Sequence, residues 1–523
     1  MLADAFGALS LRQADEEELV LLTIESTSPD VVVLSIRPRP GGAEQTAVVY
    51  DERMCAHRSP CGDHPERPER ISTLYNGLVN GGLSAHCVSV PSRLVTRAEV
   101  ELVHEQHLWD KMEWAVQQEV TGLNAFAAQH ESLFLNSSSL EAARCAAGSV
   151  LQLTEAVVSG RVRNGMAIVR PPGHHAEAHT AMGFCVFNTV AIAAQHARAT
   201  LGCRRVLVVD WDIHHGNGIQ RIFEADPSVL YFSIHRYERG QFFPSSPDAA
   251  PQSVGRDAGS GTSVNVAWNT RGHARPGDAE YLTAWREVLM PIAREFDPDL
   301  VIVAAGFDAA EGDPLGACHV TPAGYGALTR ELATLANGRL VIALEGGYSL
   351  SATAVSAAAC MEALLGLPAE PVASLAAISA PAPALSPPMP RTSTLKKRAA
   401  PPARFRLAQA AQQKQIDKDK ENQGGEPCDR SARRAIEETK AVHASYWKCL
   451  RKGAQSHSEP PPSAPTEEAA ALVLAGAGVV SNEGSAPIGE TDALVSQMQA
   501  VTITLAAGGA EAASAAGAKP SCH

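Results

Sequence analysis

Val206-Leu-Val-Val-Asp210-Trp-Asp212-Ile-His214-His215-Gly216-Asn217-Gly218 opens on four apolar residues and continues into two acids, two histidines and two glycines. A short β-branched run of this kind reads as a strand buried on both faces. Polar residues directly behind such a run stand where open α/β sheets bind their ligands, beyond the carboxyl ends of the strands. The pattern recurs. Residues 166–169 lead into Arg170-Pro-Pro-Gly-His174-His175, and residues 229–234 into His235. Residues 300–304 lead into Gly306-Phe307-Asp308, and residues 340–344 into Glu345-Gly-Gly-Tyr348. Helix-length amphipathic stretches at 140–159, 189–200 and 279–296 lie between the runs. The alternation predicts an α/β fold, an open, mainly parallel sheet with helices on both faces, whose strand ends converge on one crevice.

Asp212 and His214 are two apart at a strand end, where alternate side chains share a face and can approach one ion. Asp308, from another strand end, would complete three protein ligands. A mixed carboxylate and imidazole set with open positions suits catalytic zinc better than a closed structural site, although manganese or iron tolerates the same donors. A lone Asp-x-His is more often a cap or a satisfied loop group. Two acids and two histidines within six residues, flanked by glycines, call for a cation if they are buried together. His174 and His175, in a Gly/Pro turn, either bond nearby carbonyls or supply the imidazole that amide hydrolysis needs to move a proton from water to a leaving amine. Asp210 is the candidate to fix such a histidine's tautomer. Tyr348 is either a helix-start aromatic or a hydroxyl donor to an oxyanion. Phe184 and Phe243 are either core residues or the walls of an apolar slot for an alkyl chain.

Charge separates the chain into two parts. Residues 371–523 hold 17 Lys and Arg against 14 Asp and Glu, and residues 1–370 hold 27 against 43. An acidic body is a poor general binder of nucleic acid and attracts cationic partners, so direct DNA binding by the body is not expected. Eleven cysteines without a CxxC pair indicate neither a disulfide framework nor a thiolate zinc ribbon, and fit a reducing compartment. Acids at 15–18 and the lack of an apolar run near 18 residues predict a soluble intracellular protein without a membrane span.

Six ordered blocks carry a family resemblance: Asp63-His-Pro-Glu-Arg-Pro-Glu-Arg-Ile71, Arg170-Pro-Pro-Gly-His-His-Ala176, Gly183-Phe-Cys-Val-Phe-Asn188, Val209-Asp-Trp-Asp-Ile-His-His-Gly-Asn217, Ala305-Gly-Phe-Asp-Ala309 and Glu345-Gly-Gly-Tyr348. Over residues 48–366 the chain resembles the class II zinc-dependent histone deacetylases, plant members included. The stretch 262–299 looks closest to class IIb. The resemblance implies an arginase/deacetylase-like fold with zinc on Asp212, His214 and Asp308. His175 would then be general base and acid, and His174 its electrostatic partner oriented by Asp210. Asn217, where class I relatives have Asp, would stand behind His175. Tyr348, where the weakly active class IIa branch has His, would polarise the acetyl carbonyl. Gly183, Phe184, Phe243 and Leu315 would meet the substrate. A structural potassium would take the side chains of Asp210 and Ser233 with the carbonyls of Asp212 and His214.

Leu315 falls seven residues after Asp308, where the polyamine-deacetylating relative has a glutamate gatekeeper. A neutral gate argues for acetyl-lysine in histones or other proteins, with acetate released. Chromatin regulation, transcriptional repression, co-repressor partners and residence in nucleus or cytoplasm follow from the same resemblance. The rivals are a deacetylase of a small acetylated amine and an inactive co-repressor scaffold.

The expected organisation is a leader of unknown structure at 1–44, either an extra hairpin or poorly ordered, and a catalytic domain at 45–370. A disordered basic linker at 371–430 contains Arg391, Lys396, Lys397, Arg398, Arg404 and Arg406, a density compatible with nuclear import. A helix at 431–452, with Ile436, His443, Trp447 and Leu450 near one face, would dock back on the domain. A low-complexity tail fills 453–523.

Overall fold

The computed structural model describes residues 22–28, 31–36, 45–60, 62–273, 275–367 and 428–451. In the N-terminal segment β1 (Leu22–Ser28) and β2 (Val31–Ile36) form an antiparallel pair of their own, Leu22 opposite Ile36 and Ser28 opposite Val31. The large sheet has eight strands: β3 (Thr46–Tyr50), β4 (Cys87–Ser89), β5 (Asn164–Ile168), β6 (Val206–Asp210), β7 (Val229–Arg236), β8 (Ser263–Trp268), β9 (Leu300–Ala305) and β10 (Leu340–Leu344). Their spatial order is β4-β3-β5-β10-β9-β6-β7-β8, and every pairing is parallel. The five strands expected from the apolar runs are the contiguous centre, β5 to β7. Every residue of β5, β6, β9 and β10 is buried, as helical cover on both faces requires.

Topology explains why the polar ends meet. β9 and β10, last in sequence, insert between β5 and β6, so connections on either side of the centre diverge and leave a crevice at the carboxyl edge. Helices Ser139–Val158 and Thr189–Ala199 pack together over one face, the first against β3, β5 and β10 and the second against β6 and β9. Helices Glu69–Asn80, Pro322–Leu332 and Leu350–Leu364 pack together on the other.

The single helix expected over 279–296 is interrupted. Asp278–Ala284 and Met290–Phe296 flank a wider turn at Trp285–Leu289. Pro291 has no N–H for the carbonyl four residues back, and its ring crowds that carbonyl, so the turn opens. Helix Arg430–His443 lies along β8, with Ile436 and His443 buried and Thr439 donating to the Asn265 carbonyl at 2.9 Å. The expected linker, apart from its last three residues, and the tail at 453–523 lie outside the described residues.

Candidate active site

Nδ1 of His214 faces two carboxylates, Asp212 Oδ1 at 2.9 Å and Asp308 Oδ2 at 3.1 Å. The donor atoms of the three residues all lie within 4.8 Å of one another. Asp212 and Asp308 are buried completely, and Oδ2 of Asp308 makes no hydrogen bond of good geometry, its near neighbour being His214 Nδ1. Gly306 and Gly346 make this crowding possible. A Cβ on Gly306 would stand 1.9 Å from Asp212 Oδ2, and one on Gly346 2.5 Å from both Asp212 Oδ2 and Asp308 Oδ2. Burial opposes charge on His214, yet the two carboxylates outweigh it and lift the imidazole to about 9. Burial and the neighbouring Asp212 push Asp308 up to about 7. Two buried acids turned on one imidazole, their donor atoms within 4.8 Å of one another, form a set that fits a divalent cation.

The tandem histidines sit in different electrostatic settings. His174 Nδ1 is 3.1 Å from Asp210 Oδ2, and its Nε2 lies 3.8 Å from Asp212 Oδ2. Burial disfavours its charge, but Asp212 and Asp210 together raise it to about 10. His175 is held well below the usual histidine range by burial and by the charges of His174 and His214. It is the neutral member of the pair. Its Nδ1 meets Asn217 Oδ1 at 2.8 Å, which leaves Nε2 free. Gly183, at φ 56°, lies under the ring, where a Cβ would come within 2.5 Å of Cδ2.

Tyr348 follows β10 with its ring under the Arg70 guanidinium, 5.1 Å from the centroid. Burial keeps its hydroxyl protonated well above the ordinary tyrosine value. Phe243 stands edge-on to His175 at 5.0 Å, and Phe184 edge-on to Tyr348 at 6.1 Å, so the two phenylalanines flank the crevice. A cavity of about 490 Å³ lined by Arg67, Gly312, Pro314 and Tyr348 opens beside it. Leu315, 38 % exposed, follows Pro314 on the same loop. Asp210 and Ser233 are direct neighbours across the β6–β7 ladder, and Ser233 Oγ meets His235 Nδ1 at 2.8 Å. The expected ligand and catalytic residues, with Gly183, Phe184 and Phe243 packed near them, therefore lie around the carboxyl ends of adjacent strands, whereas Leu315 stands farther out on the loop after β9.

Several supporting groups were not foreseen. Glu177 accepts from Asn217 Nδ2 at 2.6 Å and is itself paired with Arg221, which fixes the orientation of the Asn217 amide. Glu345 accepts from the backbone N–H groups of Gly173 and His174. Asp313 accepts from four backbone N–H groups, of Leu315, Gly316, Tyr348 and Ser349. Glu66 and Arg170 form a fully buried pair, and Arg70 donates to the carbonyls of Gly347 and Glu345. The one available signal was that these are charged residues inside, or a few positions from, the quoted blocks.

A fully parallel eight-stranded sheet carrying a buried carboxylate–imidazole cluster, a histidine pair and a tyrosine at its carboxyl edge defines the arginase/deacetylase class of α/β proteins. The histone deacetylase domain matches residues 64–364. Histone deacetylase 5 of Arabidopsis thaliana is 47 % identical over 326 residues, 61 % of this chain and 49 % of that protein. Polyamine deacetylase HDAC10 of Homo sapiens is 46 % identical over 333 residues, 62 % of this chain and 49 % of that one. A solved structure titled as the HD domain of HDA15 superposes with a TM-score of 0.61 at 35 % identity, covering 78 % of this chain and 96 % of that one. The chain belongs to the histone deacetylase family, on its class II-like side. It spans about half the length of these curated relatives.

Proposed function

We propose that the chain is a zinc-dependent amidohydrolase that removes acetyl groups from N6-acetyl-lysine in histones or other proteins and releases acetate. The observation that carries this reading is the convergence of Asp212, His214 and Asp308 within 4.8 Å beside a neutral histidine and a protonated tyrosine. These three residues would hold the ion, which when bound polarises the amide carbonyl and activates water. His175 Nε2 takes a proton from the attacking water and returns it to the departing lysine amine. Asn217 Oδ1, accepting from Nδ1–H, keeps that tautomer in place. His174, charged against Asp210, adds positive potential beside the reacting carbonyl. The Tyr348 hydroxyl donates to the oxygen as negative charge builds on it. Phe184, Phe243 and Gly183 enclose the lysine chain.

Potassium on Asp210 and Ser233, with the carbonyls of Asp212 and His214, belongs to the same proposal, as does residence in nucleus or cytoplasm. So do repression in chromatin with co-repressor partners, and a catalytic unit of 45–370 completed by the helix at 431–452. Among the described residues no helix is long and apolar enough to cross a membrane. A small acetylated amine is the second reading, favoured by the relative named a polyamine deacetylase. Leu315 weighs against it, since a leucine offers nothing to a second ammonium.

Purified protein assayed on acetyl-lysine peptides and on acetylspermidine, with and without chelator, tests the reading. Peptide turnover should dominate, vanish with chelator and return with zinc, and Tyr348→Phe should lower kcat by roughly 10²–10³. Turnover that survives complete metal removal would sink the proposal, and preferential acetylspermidine turnover would install the second reading.

A further inference from the structure

A second cavity, of about 620 Å³, lies between the loop after β7 and the start of helix Arg430–His443, and is lined by Arg239, Arg271, Arg430, Arg434 and His273. Its volume falls within the roughly 300–1,000 Å³ of small-ligand sites. Carboxylates are plentiful on this acidic body, and many arginines elsewhere on it are matched to them, as Arg93 is to Glu99 and Arg286 to Glu331, while others, such as Arg67 and Arg144, meet none of the described ones within 4.0 Å but stand apart from one another. On the same helix Arg433 and Lys440 both pair with Glu287. Among the described residues the guanidinium groups of Arg239, Arg430 and Arg434 meet no carboxylate within 4.0 Å, although all three line this one cavity.

The acceptors around the cavity are already taken. Glu238 is buried and receives Arg236 together with the Thr270 and Arg271 backbones. Asn269 Oδ1 accepts the Arg239 N–H at 2.8 Å, and Gln241 Oε1 accepts from Arg271. Glu438, at the rim, accepts from Gln252 at 2.8 Å and leaves one carboxylate against four guanidiniums. What remains turned to the cavity is a set of donors with a surplus of positive charge.

We propose that this cavity is a binding site for a phosphate ester, whose dianionic oxygens accept forked hydrogen bonds from several arginines at once. The ester comes either from a soluble phosphorylated metabolite or from a phosphorylated side chain of a protein segment. The chemistry is the same for both.

Calorimetric titration of the full chain at about 0.15 M salt, where long-range attraction is largely screened, tests the site. One arm uses fructose 1,6-bisphosphate and the other a phosphoserine peptide beside its unphosphorylated form. Saturable binding in either arm is expected, weakened about tenfold or more by Arg239→Gln with Arg434→Gln. A control pair, Arg256→Gln with Arg286→Gln, removes the same net charge from arginines already matched to Glu224 and Glu331 and should leave affinity unchanged. Both pairs are exposed, and matching melting temperatures confirm that the fold is kept. Binding of the sugar bisphosphate alone assigns a soluble ester, and binding of the phosphopeptide alone a protein segment. The proposal is overturned by no saturable binding in either arm, or by equal loss in the control pair.

Discussion

Both oxygens of Asp313 are taken by the backbone. Oδ1 receives Leu315 and Gly316, at 2.8 and 3.2 Å, and Oδ2 receives Tyr348 and Ser349, at 2.7 and 3.1 Å. One buried carboxylate thus ties the loop bearing Leu315 to the backbone that aims Tyr348. In Asp313→Asn an amide NH₂ must oppose one pair of N–H groups, leaving donors facing donors at about 1–3 kcal/mol. If Tyr348 acts on the oxyanion as proposed, kcat should fall about ten- to a hundredfold while KM changes less. Steady-state kinetics with a melting curve would check it, and a lowered melting temperature with untouched kcat would make Asp313 a purely structural residue. The contrast with the rest of the site is instructive. Asp212, His214, Asp308, His174, His175 and Tyr348 could be picked out because each follows an apolar run. Asp313 and Glu177 matter only through what folds against them, and no local pattern marks that.

At the scale of elements, the sheet has two edges that need cover. β4 is three residues long, and β8 is shielded by helix Arg430–His443, whose Ala432, Ala435, Ile436, Thr439 and His443 are buried. Trp447 adds a hydrogen bond from Nε1 to the Gly261 carbonyl at 2.9 Å and an edge contact with Phe296. Ile436→Asp puts a carboxylate where a fully buried side chain stood, beyond the 2–5 kcal/mol that truncating an isoleucine costs. The helix should detach, so limited proteolysis should cut faster around 428–451 and the uncovered β8 should promote association. Exposed Glu437→Gln serves as the control, and indistinguishable digestion of the two variants would show that the helix contributes little to holding the edge. The central strands were legible because burial on both faces demands continuous apolar runs. β4 was too short to register, and the break at Trp285–Leu289 was hidden inside a periodic pattern that continues through it.

Across the whole molecule, one buried ionic network joins parts of the chain far apart in sequence. Glu66 takes Arg170 at 2.6 Å and Arg70 at 3.2 Å. Arg170 also donates to the carbonyls of Met54 and His57, and Arg70 to those of Glu345 and Gly347 beside Tyr348. Burial alone would raise the Glu66 carboxyl, but Arg170 and Arg70 overcome it and hold it down at about 2. A carboxyl depressed on folding stabilises the native state above its unfolded value near 4.5 and loses that contribution as pH falls toward 2. The difference is worth on the order of 3 kcal/mol. His57, kept neutral to about 3 by burial, acts in the same direction from about pH 6.5 downward, because the unfolded chain takes up its proton first. Glu66→Gln leaves two buried guanidiniums without their carboxylate and should cost about 3–5 kcal/mol near neutrality. It also removes the Glu66 titration while leaving that of His57. Stability of wild type and variant followed from about pH 7 to pH 2.5 should therefore differ most near neutrality and converge by roughly 3 kcal/mol below about pH 4.5. Curves that stay parallel through that window would mean that Glu66 is not the proton-linked keystone of the network.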